Sequence, residues 1–160
     1  MQRASQISLI AALLFWGILI GGIGYSHMVY MPAYLHHLPE SNRLIAGETG
    51  LHEEHFWLTL HPVLIVCSVA ALILNWKTKA RRKPIAIAFT TYAIMIVITA
   101  LYFVPELKAF AAADPATSPT EWKSRGQLWE KLSWIRGLIL YVAFTLLLIA
   151  LTKPLPARKN

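Results

Sequence analysis

The 160-residue chain has a single cysteine, Cys67, and only 14% charged residues. One cysteine excludes an intrachain disulfide and any Cys-based zinc finger, and its place inside an apolar run reads as a small packing residue. So little charge beside 56% hydrophobic residues excludes a disordered chain. Internal repeats and low-complexity tracts are absent, so one domain over residues 1–160 is expected. No small-residue A-x-A cleavage site follows the first apolar run, which leads instead into Tyr30, Met31, Pro32 and Tyr34. That run therefore reads as a retained helix rather than a signal peptide.

What is present is four apolar blocks: Ile7 to Tyr25, about His55 to Trp76, Ile85 to Val104 and Ile135 to Leu151. Each is long enough to cross most or all of a hydrocarbon core about 30 Å thick. The expectation is an all-α integral membrane four-helix bundle, with helices over about 7–34, 52–76, 84–105 and 130–152.

Acidic residues are missing from one side of this arrangement. With the N-terminus inside, the inner segments hold nine basic residues (Arg3, Lys77, Lys79, Arg81, Arg82, Lys83, Lys153, Arg158 and Lys159) and no acid. The outer segments hold six basic residues and all eight acids. Cytoplasmic loops retain positive charge, so both termini are expected in the cytoplasm of a multi-pass protein in the inner or plasma membrane. The formal charge of +7 is then a topology signal, its partner is the lipid bilayer, and nucleic acid is excluded. The inner connection is short, whereas two long outer loops, Ser26 to Glu54 and Pro105 to Trp134, are of a length that often carries function.

All six histidines fall in or beside the first outer loop: His27, His36, His37, His52, His55 and His61. In the second block Glu54, His61, Ser68 and Asn75 recur at steps of seven and form one helical stripe. Polar groups are expensive in lipid, so the stripe should face the bundle interior or a wet pocket. If the first helix continues past Tyr25, His27 and His61 meet at one level on antiparallel helices. Pro62 frees the carbonyl of Leu58 there. The plain structural alternative is that His61 and Asn75 hydrogen-bond neighbouring helices.

His52-Glu53-Glu54-His55 is neither an H-E-x-x-H nor an E-x-x-H motif. His27, Glu54, His55 and His61 nevertheless form a candidate ligand set for Fe, Cu or Zn, with imidazole and carboxylate donors. A b-type haem gripped by His27 and His61 is a second option. His36 and His37 read as solvated loop residues.

Trp122, Trp129 and Trp134 precede Arg136 in the chain. Trp129 and Arg136 share a face if the last helix extends outward, and a guanidinium there suits an anionic or phenolate-bearing ligand. Trp57, Tyr102 and Trp129 are the candidate aromatic contacts to ligand or cofactor, although Tyr102 and Trp134, at helix ends, also fit interfacial anchoring. Gly17 and Gly21 form a G-x-x-x-G pair that offers a face for a neighbouring helix or a homo-oligomer.

Phe15-Trp16-Gly17 with its following glycines, Tyr30-Met31-Pro32, His61-Pro62, and Trp122, Trp129 and Trp134 followed by Arg136 resemble the anthrone-oxygenase-like group of small four-helix membrane proteins. The resemblance implies oxidation of an aromatic or quinone-like substrate by dioxygen. On that expectation a lipophilic phenol or quinol reaches the outer end of the bundle, Glu54 or His61 takes its proton, Arg136 stabilises the phenolate, and Trp57 and Trp129 stack on its rings. The competing class is a non-catalytic membrane protein that binds a metal, haem or quinone, or a structural subunit of a larger complex.

Overall fold

The computed structural model describes residues 2–114 and 118–154, which form helices and turns with no strand. Arg158 and Lys159, counted above among the inner basic residues, lie outside the described residues. Four helical rods are long and apolar enough to cross a membrane: Gln2–Leu35, Glu53–Leu74, Lys79–Ala111 and Pro119–Thr152. The first consists of α1 (Gln2–Tyr25), a π-turn at Ser26–Tyr30 and the short α2 (Met31–Leu35). The second is α3 (Glu53–Leu74). The third consists of α4 (Lys79–Ile98), a π-turn at Thr99–Phe103 and α5 (Val104–Ala111), and the fourth is α6 (Pro119–Thr152).

The second expected long loop is therefore largely helix, and the first is helix over residues 26–35. The first and last rods have 34 residues each, about 50 Å at 1.5 Å per residue against a core of about 30 Å. The first rod ends where the sequence placed it, near residue 34, whereas the sequence hid the extensions of the third and fourth because they are polar: Glu106 and Lys108 lie in α5, and Glu121, Lys123 and Arg125 in the first turns of α6. What remains of the first connection, residues 36–52, carries a 3-10 turn at Glu40–Leu44.

Helix α1 packs on α3 and α6, and α4 packs on α6 and α3, closing a four-helix ring. Its termini end is tied by Arg81 at the start of α4. Arg81 donates to the Gln6 side chain at 2.7 Å and to the carbonyls of Lys153 and Leu151 at the end of α6. These carbonyls are orphaned where a helix stops, and a guanidinium satisfies them without an added acid. Nearby, Ser5 Oγ donates to Asn75 Oδ1 at 2.6 Å, and Asn75 Nδ2 donates back to the Ser5 carbonyl at 3.1 Å. One step of seven along α3, Ser68 Oγ accepts from Trp16 Nε1 at 3.2 Å. Asn75 and Ser68 therefore join α3 to α1, each with its polar group paired inside the bundle.

Apolar packing forms two clusters. One, at the termini end, centres on Leu9, Trp16, Leu64, Ile85 and Leu147. The other, at the long-loop end, centres on Tyr34, Leu38, Phe103, Phe110 and Trp129. Gly137 lets α1 approach α6, since a Cβ there would meet Ile23 at 3.2 Å. Gly17 and Gly21 do not serve the bundle this way: both are exposed, and a Cβ at either meets nothing within 4 Å. The G-x-x-x-G pair thus makes no close helix contact within the chain.

Each π-turn is followed two residues later by a proline, Pro32 after Tyr30 and Pro105 after Phe103. Proline lacks an N–H and its ring crowds the carbonyl four residues earlier, and the wider π-turn accommodates both demands without breaking the rod.

Candidate functional site

Between the two apolar clusters, toward the long-loop end, the four rods enclose a cavity of about 120 Å³. Both π-turns contribute to its wall: Ser26 and His27 from the first, Thr99 and Phe103 from the second. Inserting one extra residue per turn is how a helix re-aims side chains, and such insertions concentrate at functional positions.

His27 is 2% exposed. Its Nδ1 lies 2.7 Å from the Ile23 carbonyl, which only accepts, so Nδ1 carries the proton in the neutral ring. Nε2 is then a lone-pair acceptor, and it is buried with no hydrogen-bond partner. The ring rests against Trp134, with centroids 4.5 Å apart.

His61 enters from α3, with Nδ1 hydrogen-bonded to the Tyr92 hydroxyl of α4 at 2.6 Å. Trp57, one turn earlier on α3, stacks on it with an interplanar angle of 22°. Tyr92 is itself buried against Trp16 of the termini-end cluster, which fixes the His61 ring in turn.

Arg136 enters from α6. It donates from Nη1 to Thr99 Oγ1 at 3.0 Å and from Nη2 to Ser133 Oγ at 2.9 Å, and its guanidinium sits 4.0 Å from the Phe103 ring centroid. Among the described residues it has no carboxylate partner, and the three ion pairs lie elsewhere. A half-buried cation paired only with hydroxyls and an aromatic face retains much of its desolvation cost and would gain from an anion. Trp129, two turns before Arg136, lines the wall and donates from Nε1 to the Phe103 carbonyl at 3.1 Å.

Five of the residues singled out in the sequence thus converge on one cavity: His27, Trp57, His61, Trp129 and Arg136. Three do not. Glu54 is exposed and hydrogen-bonded to His52 Nδ1 at 2.9 Å, and His55 is exposed beside the His52 ring. The carboxylate on the cavity wall is Glu53, whose Oε1 accepts from Ser26 Oγ at 2.6 Å. On a straight helix Glu54 lies only about 20° from His61, with Glu53 about 80° away on the other side, so the wall at the top of α3 turns through Trp57 toward the first rod, where Ser26 meets Glu53. The steps of four from His61 to Trp57 to Glu53 are the sequence trace of that turn.

Tyr102 packs beside the long-loop-end cluster, and its neighbour Phe103 takes the cavity position. The π-turn at Thr99–Phe103 rotates the helix face that a 3.6-residue period assigns to Tyr102. Glu106, one turn further on, pairs with Arg125 at 2.9 Å outside the cavity. His36 and His37 are exposed, with His36 bonded to Glu130 at 3.1 Å.

The metal set drawn from the sequence is not assembled. Among the described residues no three of His, Cys, Asp or Glu are placed to share an ion, because Glu54 and His55 lie outside the wall that carries His27 and His61. Haem does not fit either. The cavity, at about 120 Å³, is slightly smaller than the ~150 Å³ space that takes benzene, far less than a tetrapyrrole between two histidines requires.

The sequence profile of the family described as Anthrone oxygenase matches residues 51–146, more than half of the chain. The matched stretch includes Glu53, Trp57, His61, Tyr92, Trp129 and Arg136, whereas Ser26, His27 and Tyr34 precede it. No curated protein and no solved structure matches the chain.

Proposed function

Because the chain belongs to the anthrone oxygenase family, we propose that it is a membrane-embedded oxygenase acting on a lipophilic anthrone-, phenol- or quinol-type ring in the cavity between its four rods. The observation that carries this reading is that a buried, unpartnered imidazole nitrogen and an Arg without a carboxylate line the same apolar space. Such a pair suits a substrate that is neutral on entry and anionic when it reacts.

In this reading His27 Nε2 accepts the proton of an activated ring C–H or O–H, and Arg136 stabilises the resulting oxyanion. The anion is the electron-rich species that dioxygen oxidises. Net conversion of a ring CH2 to C=O consumes one O2 and releases one water, so the electrons balance without an outside reductant. His61, held by Tyr92, forms the opposite polar wall, and Trp57 and Trp129 flank the ring. Excluding bulk water from an apolar cavity strengthens each of these polar contacts. The inner-side basic bias supports a cavity on the non-cytoplasmic side of an inner or plasma membrane.

The test is anthrone-dependent oxygen uptake by purified protein in lipid nanodiscs, above the spontaneous rate. Two adjacent acids separate this site from the one inferred from the stripe. Glu53, the carboxylate on the cavity wall, would carry the proton away from His27, so Glu53→Gln lowers the turnover rate by about 10²-fold, the low end of the range for such groups. Glu54→Gln, on the exposed side, leaves it unchanged. Equal effects of the two substitutions, or no uptake by the unmodified protein, would reject the assignment.

A further inference from the structure

The cavity has room for about one aromatic ring, and a fused polycycle is longer than that. Beside it, between α1 and α3, lies an open groove of about 470 Å³. Groove and cavity share three wall residues, Ser26, Glu53 and Trp57. The rest of the groove is apolar or glycine: Ile18, Gly21, Gly22, Tyr25 and Phe56. Ile18, Tyr25 and Phe56 are 47%, 63% and 41% exposed. They sit on membrane-spanning rods, so the mouth of the groove opens sideways toward lipid rather than along the bundle axis.

From this continuity we propose that the groove is a lateral portal and outer ring subsite, through which a fused-ring aromatic enters from the bilayer. The reactive edge of its ring system reaches the buried Nε2 of His27, the unpartnered polar atom of the adjoining cavity, and the remaining rings lie in the groove over Gly21, beside Phe56. The inference rests on the substrate class proposed above. Gly21 leaves the groove floor bare, since a Cβ there meets no atom within 4 Å, whereas Gly22 lets the Phe56 ring lie directly on the backbone as a side of the groove, 2.8 Å from where a Cβ would sit. The 2.6 Å bond from Ser26 to Glu53 bridges the two helices at the wall common to both spaces. A ligand spanning groove and cavity passes that bond and the Trp57 ring, which selects flat aromatics over branched lipid tails.

The groove also suggests how to block it without disturbing the fold. Gly21 lines it, Gly17 lies one helical turn away outside it, both are exposed, and a Cβ at either meets no atom within 4 Å. Full-length protein in nanodiscs is mixed with anthraquinone, and binding is followed by quenching of tryptophan fluorescence in a stopped-flow instrument. Gly21→Phe is expected to slow association and weaken binding by about tenfold or more, some 1.4 kcal/mol, while Gly17→Phe behaves as the unmodified protein.

Wild-type association rates in Gly21→Phe, or no anthraquinone binding by the unmodified protein, would overturn the proposal. Equal losses in both variants together with a smaller oligomer would also overturn it, assigning the glycine face to a second copy of the chain. Anthraquinone binding that Gly21→Phe blocks, in a protein that consumes no oxygen with anthrone, would support the portal while removing the oxygenase reading.

Discussion

Arg136→Ala lowers anthrone-dependent oxygen uptake by about 10²- to 10³-fold, the usual effect of deleting one donor to a developing oxyanion, or roughly 3–4 kcal/mol of transition-state stabilisation. The loss falls mainly on kcat, since the guanidinium meets full negative charge only after the substrate has lost its proton. Stability is expected to move the other way or not at all. Arg136 has no carboxylate partner among the described residues, so its removal relieves a buried charge rather than stranding one. Thr99 Oγ1 keeps its bond to the Met95 carbonyl, at 2.7 Å. Arg136→Lys retains charge but not the two-pronged donor that reaches Thr99 and Ser133, so it recovers only part of the rate. A large fall in melting temperature with a parallel loss of activity would instead mark Arg136 as a packing residue.

His27→Asn is the second large effect, with a loss of about 10² to 10⁴ in kcat/KM, the range for a removed general base. Asparagine is chosen because its amide N–H can still serve the Ile23 carbonyl that His27 Nδ1 now meets at 2.7 Å. The unpartnered acceptor at Nε2 disappears while the π-turn keeps its side-chain bond. Added imidazole, small enough for a cavity near 120 Å³, should restore part of the rate in this variant. Unchanged turnover in His27→Asn, measured at the same protein stability, would move the base elsewhere, with His61 the next residue on the wall.

The two effects are expected to be less than additive. His27 and Arg136 act on the two ends of one deprotonation, so once the anion no longer forms there is little left for the guanidinium to stabilise. A double variant close to the worse single variant supports a shared step.

Much of the molecule was legible in the sequence, for definite reasons. Four apolar blocks gave the four rods because a membrane leaves a chain few alternatives to helix. The stripe through His61, Ser68 and Asn75 pointed inward because unpaired polar groups are costly there, and Ser68 and Asn75 are indeed bonded to Trp16 and Ser5 of α1. The departures have separate causes, the placement of a neighbouring helix and local helix geometry. A strict period of seven selected Glu54, whereas α1 presents Ser26 to Glu53. A uniform 3.6-residue period selected Tyr102, whereas the π-turn at Thr99–Phe103 brings Phe103 to the wall. The Pro32 and Pro105 positions were the only sequence marks of those turns. Gly17 and Gly21 look like a helix-packing motif on paper, and only the placement of α3 and α6 shows that no helix of the bundle closes on them.

The most direct measurement is the absorption spectrum of a hydroxyanthraquinone dye added to the protein in nanodiscs, because its colour reports whether the phenol is bound as an acid or as an anion. With Arg136 and His27 on one wall, the bound dye should show the anion spectrum at a pH where free dye in empty nanodiscs stays neutral, and Arg136→Ala should abolish that shift. Binding of the neutral form alone, with Arg136→Ala indistinguishable from the unmodified protein, would contradict the claim that this cavity is built for an aromatic oxyanion.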